Sequence, residues 1–287
     1  MYERIVVGTD LSRTARVATD RAAHLASRLE AELVLVFAGD DPSGDVDALA
    51  TEYGGRAVVQ RGNPADVLLD HAQGKDDLLV VGSVGMSGPR RFKLGNIPNK
   101  VSHHAETDLL IVKSDDPSKA RNNDYKKVLV GTDGSPTAMR AVEAGVGFSD
   151  AVGAEITIVT AYQPPTEDEL ARMKASPDDP YAQWDSRRED EATPQEFRWR
   201  IAGAAQAQDV LDRAADRASG MGVNAEIRAV EGHAAEQLLS IAEDEDFDVI
   251  IVGSVGMTGR KRFMLGNVPH HVSHHSPIDV LILRTAL

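Results

Sequence analysis

Two glycine-rich segments, 171 residues apart, carry the residues best suited to chemistry. Residues 81–113 read VGSVGMSGPRRFKLGNIPNKVSHHAETDLLIVK, and residues 252–284 read VGSVGMTGRKRFMLGNVPHHVSHHSPIDVLILR. Aligned without a gap, 20 of the 33 positions are identical. The first copy spaces its glycines as Gly82-x2-Gly85-x9-Gly95-Asn96, and the second as Gly253-x2-Gly256-x9-Gly266-Asn267. Gly82 and Gly253 follow short apolar runs, while Gly95-Asn96 and Gly266-Asn267 precede helix-like segments. Glycines at a strand's carboxyl end let a backbone approach a phosphate and adopt positive φ. A helix start offers unpaired N–H groups and the positive end of the dipole. The spacing predicts an anion site in each copy, with the Asn amide either capping the helix or donating to the anion. Arg90, Arg91 and Lys93 in one loop, and Arg260, Lys261 and Arg262 in the other, are suited to phosphate or form a solvated cationic face.

A second carboxylate motif accompanies each glycine block. RIVVGTDLS (residues 4–12) matches KVLVGTDGS (residues 127–135), placing Asp10 and Asp133 just after an apolar run. Either carboxylate could accept a hydrogen bond from a ribose hydroxyl or a base amine, or cap the helix that follows. Ser12 and Ser135 read as helix caps, since no Gly-x-Ser-x-Gly elbow surrounds them.

The elements that must position these residues alternate as strand and helix. The first half predicts strands at Arg4–Thr9, Glu32–Ala38, Ala57–Gln60, Leu78–Val81 and Asp108–Lys113, with a helix over Arg13–Leu29. The second predicts strands near Lys127–Thr132, Glu155–Tyr162, Ala225–Val230, Val249–Val252 and Val280–Arg284. Continuous β-branched runs suit strands buried on both faces, so the pattern predicts two parallel α/β sheets. The Gly-Thr-Asp motifs are offset by 123 residues and the glycine blocks by 171, so the second half carries about 48 extra residues between them. These include an acidic, proline-broken stretch at 163–194, either surface elaboration or a flap or partner contact, and a long helix over Glu196–Ser219. The first half has only a stub there, Val46–Tyr53. The expected domains are 1–115 and 125–287, joined by a polar linker.

Composition narrows the classes. With 287 residues, 42% hydrophobic and 26% charged, the chain suits two globular domains. A net charge of −14 disfavours sequence-independent binding to nucleic acid or anionic membrane. No run of eighteen apolar residues exists, and the N-terminus enters a strand without a basic leader, which predicts a cytoplasmic protein. Absence of cysteine excludes disulfides, thiolate metal sites and cysteine nucleophiles. His103-His104 and His274-His275 are adjacent pairs that point to different helix faces. His271 and His275 could share a face but show no third ligand nearby, so no metal site is assigned. His233, in a turn before a helix, is placed where it could lie near a ligand. No Gly-Lys-Ser/Thr loop, Gly-x-Gly-x-x-Gly motif or clear general base is present, so no catalytic residue is assigned.

Together, the Gly-Thr-Asp motif and the Gly-x2-Gly-x9-Gly block resemble the universal stress protein family. The version with Ile-Pro or Val-Pro followed by Val-Ser-His-His resembles its ATP-binding branch, often found as tandem domains. The resemblance implies adenine-nucleotide-alpha-hydrolase-like halves, each a five-stranded parallel sheet in order 3-2-1-4-5 with helices on both faces. It implies that Asp10 and Asp133 contact adenosine. Gly82, Gly85, Gly95 and Asn96 would hold ribose and phosphates, as would Gly253, Gly256, Gly266 and Asn267. The implied ligand is ATP, or AMP or ADP, with Mg²⁺ on the phosphates. The family motif has Ser or Thr where Asn96 and Asn267 stand. The implied role is a stress-response regulator whose nucleotide state biases conformation or assembly, with at most weak ATPase activity. A hydrolase or nucleotidyl transferase on the same scaffold, and a scaffold for an unknown protein partner, remain open. The halves are expected to meet through their fifth strands or adjoining surfaces as an internal pseudo-dimer, with homodimers of the whole chain also conceivable. The first half's missing helix leaves its pocket more open and makes the second the more complete site.

Overall fold

The computed structural model describes residues 2–41, 43–84, 94–113, 124–163, 195–255 and 265–284. The first half comprises β1 (Arg4–Gly8), α1 (Arg13–Leu29), β2 (Glu32–Ala38), α2 (Asp45–Glu52), β3 (Arg56–Gln60), α3 (Pro64–His71), β4 (Asp77–Gly82), α4 (Asn96–His104) and β5 (Asp108–Val112). The second comprises β6 (Lys127–Gly131), α5 (Pro136–Val152), β7 (Glu155–Tyr162), α6 (Gln195–Gly220), β8 (Glu226–Glu231), α7 (Ala234–Asp244), β9 (Val249–Gly253), α8 (Asn267–His275) and β10 (Asp279–Leu283).

Each half has the strand order 3-2-1-4-5, but the two sheets are one. The ten strands run β3-β2-β1-β4-β5-β10-β9-β6-β7-β8. Pairing is parallel within each half, and β5 meets β10 antiparallel, with Leu110 opposite Leu281. DLLIV and DVLIL have no polar face to offer solvent, and pairing them removes two apolar edges at once.

Successive strand residues enter opposite cores. Ile5, Val7, Leu78, Val80, Leu110 and Leu281 pack on the face covered by α1 and α5, while Val6, Leu79, Val81, Leu109 and Val280 pack on the other. A strand buried on both sides must be apolar throughout, hence the uninterrupted runs in the sequence.

Hydrogen bonds at the seam repeat across an internal two-fold. Asp279 accepts from the backbone N–H of Lys113 at 2.9 Å and from Tyr125 Oη at 2.7 Å. Asp108 accepts from the backbone N–H of Arg284 at 2.6 Å and from Tyr2 Oη at 2.8 Å. Lys113 Nζ donates to the Ser273 carbonyl, and Arg284 Nη2 to the Ser102 carbonyl. Arg21 breaks the symmetry. It pairs with Asp279 at 3.1 Å, both side chains 6% exposed, and stacks over Tyr125 at 4.5 Å. Its counterpart position in the second half is Ala144.

Candidate functional site

Parallel pairing decides where the motif residues meet. β1 lies beside β4, with Val7 opposite Val80, so the Thr9-Asp10 turn and Gly82 lie at the same carboxyl edge. β6 lies beside β9, with Val130 opposite Ile251, and brings together the Thr132-Asp133 turn and Gly253. The first strand of each pair leads to a helix on one face, and the second to a helix on the other. A crevice opens at such a switch point.

The aspartate turns are nearly superimposable in their bonding. Asp10 Oδ1 accepts from the Ser12 N–H at 3.0 Å, and Asp133 Oδ1 from the Ser135 N–H at 3.0 Å. The Ser12 and Ser135 hydroxyls then cap α1 and α5, accepting from Ala15 N at 3.1 Å and Ala138 N at 3.2 Å. Capping therefore falls to the serines, while each aspartate holds its turn. Thr9 and Thr132, which the sequence reading left without a role, reinforce the turns by accepting from the N–H of Leu11 and Gly134. Their β-carbon hydroxyls next to each aspartate were the available signal.

Each glycine loop leaves and rejoins the fold at a fixed base. Gly95 N–H donates to the Ser83 carbonyl at 2.8 Å, and Gly266 N–H to the Ser254 carbonyl at 2.8 Å. Val84 and Leu94 are buried at the two ends of the first loop. Gly85 and Gly256, the six loop cations and the 163–194 insertion beyond Gln163 lie outside the described residues.

Two details differ from the sequence reading. Gly82 and Gly253 end strands, and Gly95 and Gly266 sit at φ −64 and ψ 164, so none needs positive φ. A Cβ at Gly95 or Gly266 would stand 3.4 Å from the serine carbonyl beneath it, an ordinary contact, so neither backbone angle nor packing within the described residues demands glycine there. The N-cap positions of α4 and α8 are Gly95 and Gly266, without side-chain caps, and Asn96 and Asn267 are the first helical residues. Asn therefore does not cap, because a glycine occupies the capping position. The helix starts keep N–H groups that an anion can meet.

The neighbouring walls differ between halves. In the first, Leu11 holds φ 61 and is 39% exposed beside a cavity of about 400 Å³ bounded by Arg16, Asp45, Leu49 and Glu52. Arg16 Nη2 meets Glu52 Oε1 at 2.5 Å. In the second, Gly134 takes the same left-handed backbone at φ 74, and a Cβ there would fall 2.6 Å from Val210 of α6. The 26-residue α6 thus closes against a turn that the 8-residue α2 leaves open.

The histidines gather at the seam. His270 and His274 stack at 4.4 Å, His103 lies 5.6 Å from His270, and His274 Nε2 donates to Asn99 Oδ1 at 3.1 Å. Burial and the neighbouring imidazoles lower His103 and His270, and take His274 down to about 4. Among the described residues no group of three acidic or imidazole side chains is arranged to hold a metal ion. His233 instead stands at the tip of β8, with its ring nitrogen bonded to Gln163 at the tip of β7.

With this geometry in place, comparison with known proteins is decisive for kinship. The sequence profile of the universal stress protein family matches residues 1–60, 47–113 and 124–284. This chain belongs to the universal stress protein family. The universal stress protein Rv1636 of Mycobacterium tuberculosis is 33% identical over 162 residues, 56% of this chain and 97% of its own length. The crystal structure of a universal stress protein from Archaeoglobus fulgidus covers all of both chains with a TM-score of 0.65 at 17% identity, a likeness of fold. A universal stress protein solved in complex with cAMP is 32% identical, matched over 57% of this chain and 99% of its own, with a TM-score of 0.40. Among the described residues no helix of this universal stress protein is long and apolar enough to cross a membrane.

Proposed function

We propose that this universal stress protein is an adenine-nucleotide-binding regulator with a site in each half, ATP being the ligand for which the motifs are best suited. The observation that carries this reading is the pairing of β1 with β4 and of β6 with β9, which sets an aspartate turn and a glycine loop at one carboxyl edge in each half. Uncapped starts of α4 and α8 suit the phosphates, with Mg²⁺ neutralising part of their charge. Asp10 and Asp133, braced in turns, suit a ribose hydroxyl or base amine. The sequence has no Gly-Lys-Ser/Thr phosphate loop, so the reading is binding with slow or no hydrolysis. Occupancy would act through the rigid β5–β10 seam on conformation or assembly, in the cytoplasm.

Calorimetric titration with ATP, ADP, AMP and cAMP tests the reading in the whole chain, Gly82→Val, Gly253→Val and the double variant. A branched side chain at either strand end fills the space against the phosphates, so each single variant should lose one site and the double variant both. Parent-like binding by both single variants would remove the glycine loops from the site.

A further inference from the structure

We propose that His271 and His275 form a surface site for a divalent transition cation that prefers imidazole, such as Cu²⁺, Ni²⁺ or Zn²⁺, separate from both nucleotide crevices. Six of the chain's nine histidines lie on α4 and α8. On α8 they fall at 270, 271, 274 and 275, making two pairs four residues apart, each pair on one helix face. Both pairs are stacked, His270 on His274 at 4.4 Å and His271 on His275 at 4.2 Å.

The two pairs differ in what they have left to give. His274 Nε2 is bonded to Asn99, and His103 lies against His270, so that pair is engaged at the seam. His271 and His275 are exposed. His275 Nδ1 lies 2.9 Å from the His271 carbonyl, which can only accept. The neutral ring therefore carries its proton on Nδ1 and keeps the Nε2 lone pair for a ligand. An Nδ1–H bond to a backbone carbonyl is the device that orients metal-binding imidazoles. The His271 ring makes no hydrogen bond among the described residues, so it is free to rotate about χ2. Metal–nitrogen bonds of about 2.0–2.1 Å let two ligand nitrogens stand up to about 4 Å apart, a span that these rings meet with a small rotation.

The surroundings favour a cation here. The pair lies toward the carboxyl end of α8, where the helix dipole is negative, on a chain of net charge −14. The phosphate-facing start of the helix is at its other end, eight residues from His275, or about 12 Å at the helical rise. Among the described residues no third acidic or imidazole side chain joins the pair, so water completes the coordination. Two nitrogen ligands suit imidazole-preferring ions and disfavour Mg²⁺ and Ca²⁺, which take oxygen. The first half lacks the pair. His104 matches His275, but Lys100 stands where His271 would be, and its Nζ is bonded to Asp66 at 2.6 Å.

Calorimetric titration of the untagged whole chain, freed of metal with a chelator and without nucleotide, tests the site. One equivalent of Ni²⁺ or Zn²⁺ should bind, Cu²⁺ should bind more tightly, and Mg²⁺ should not compete. His271→Ala and His275→Ala should each weaken Ni²⁺ at least tenfold, and His104→Ala less than twofold. All three positions are exposed, and an unchanged melting temperature without metal confirms folding. ATP titration of the two α8 variants should match the parent, which keeps this site distinct from the crevices. Parent-like Ni²⁺ binding by either α8 variant, an equal loss in His104→Ala, or a parent chain that binds no transition cation overturns the assignment, whatever the nucleotide titrations give.

Discussion

The two halves share a sheet order, two aspartate turns and two loop bases, yet differ where α2 and α6 flank the turns and where Arg21 enters the seam. Leu11 and Gly134 occupy the same turn position with the same left-handed backbone, at φ 61 and φ 74. Leu11 is open beside the short α2, whereas Gly134 lies under Val210 of the long α6. Asp108 and Asp279 occupy equivalent seam positions, but among the described residues only Asp279 makes a direct ion pair with an arginine of the opposite half. Duplication preserved what the sheet demands. The helix layer was free to diverge, because each helix packs on one face only.

Removing Asp279 should give the largest effect. Asp279→Ala strands the buried Arg21 and two donors, and breaking one side of a buried ion pair costs about 3–5 kcal/mol. Asp108→Ala strands Tyr2 Oη and the Arg284 N–H and removes the charge that offsets the buried Arg284 guanidinium, but breaks no direct ion pair, and should cost about 1–3 kcal/mol. Urea unfolding of the two variants checks the difference, and equal losses would make Arg21 irrelevant to the seam.

The turn pair should follow. Gly134→Ala places a Cβ against Val210 on left-handed backbone, costing roughly 2–4 kcal/mol from backbone strain and overpacking together. Leu11→Gly relieves about 1 kcal/mol of the same strain while giving up a partly buried side chain, so thermal melts should show it close to neutral. Matching losses at both positions would mean that α6 does not press on its turn.

A smaller effect concerns pH. His274 is lowered to about 4 by burial and by His270, His275, Lys113 and His103. The unfolded chain, with an ordinary imidazole near about 6.5, binds the proton first, so stability falls as pH drops from about 6.5 to 4. His274→Gln keeps a donor for Asn99 and should flatten that part of the melting-temperature profile. Burial raises the Asp108 and Asp279 carboxyls in both proteins, so their opposite contribution cancels in the comparison. Superimposable profiles would show that His274 does not titrate in this window.

Much of the fold was legible because local rules and tertiary packing agree. The expected helix over Arg13–Leu29 and strands over Glu32–Ala38 and Glu155–Tyr162 are found within those bounds, each framed by a cap or a turn. Gly82, Gly95, Gly253 and Gly266 were legible as positions and misread in conformation. A Gly at a strand end signals either space or positive φ, and only the loop's path decides between them. Asn96 and Asn267 read as caps because Asn favours that role, but the chain enters α4 and α8 one residue earlier. The Gln163–His233 pair was invisible because its members are 70 residues apart.

The sequence by itself determined the two α/β halves, their order and the kinds of residue at each crevice, since periodicity, caps and repeated motifs are local properties. Tertiary structure alone decided that two sheets become one and that Arg21 reaches Asp279. It also decided that α6 seals one turn while its counterpart stays open. Those outcomes depend on which surfaces meet, and contacts between residues far apart along the chain leave no periodic mark on it.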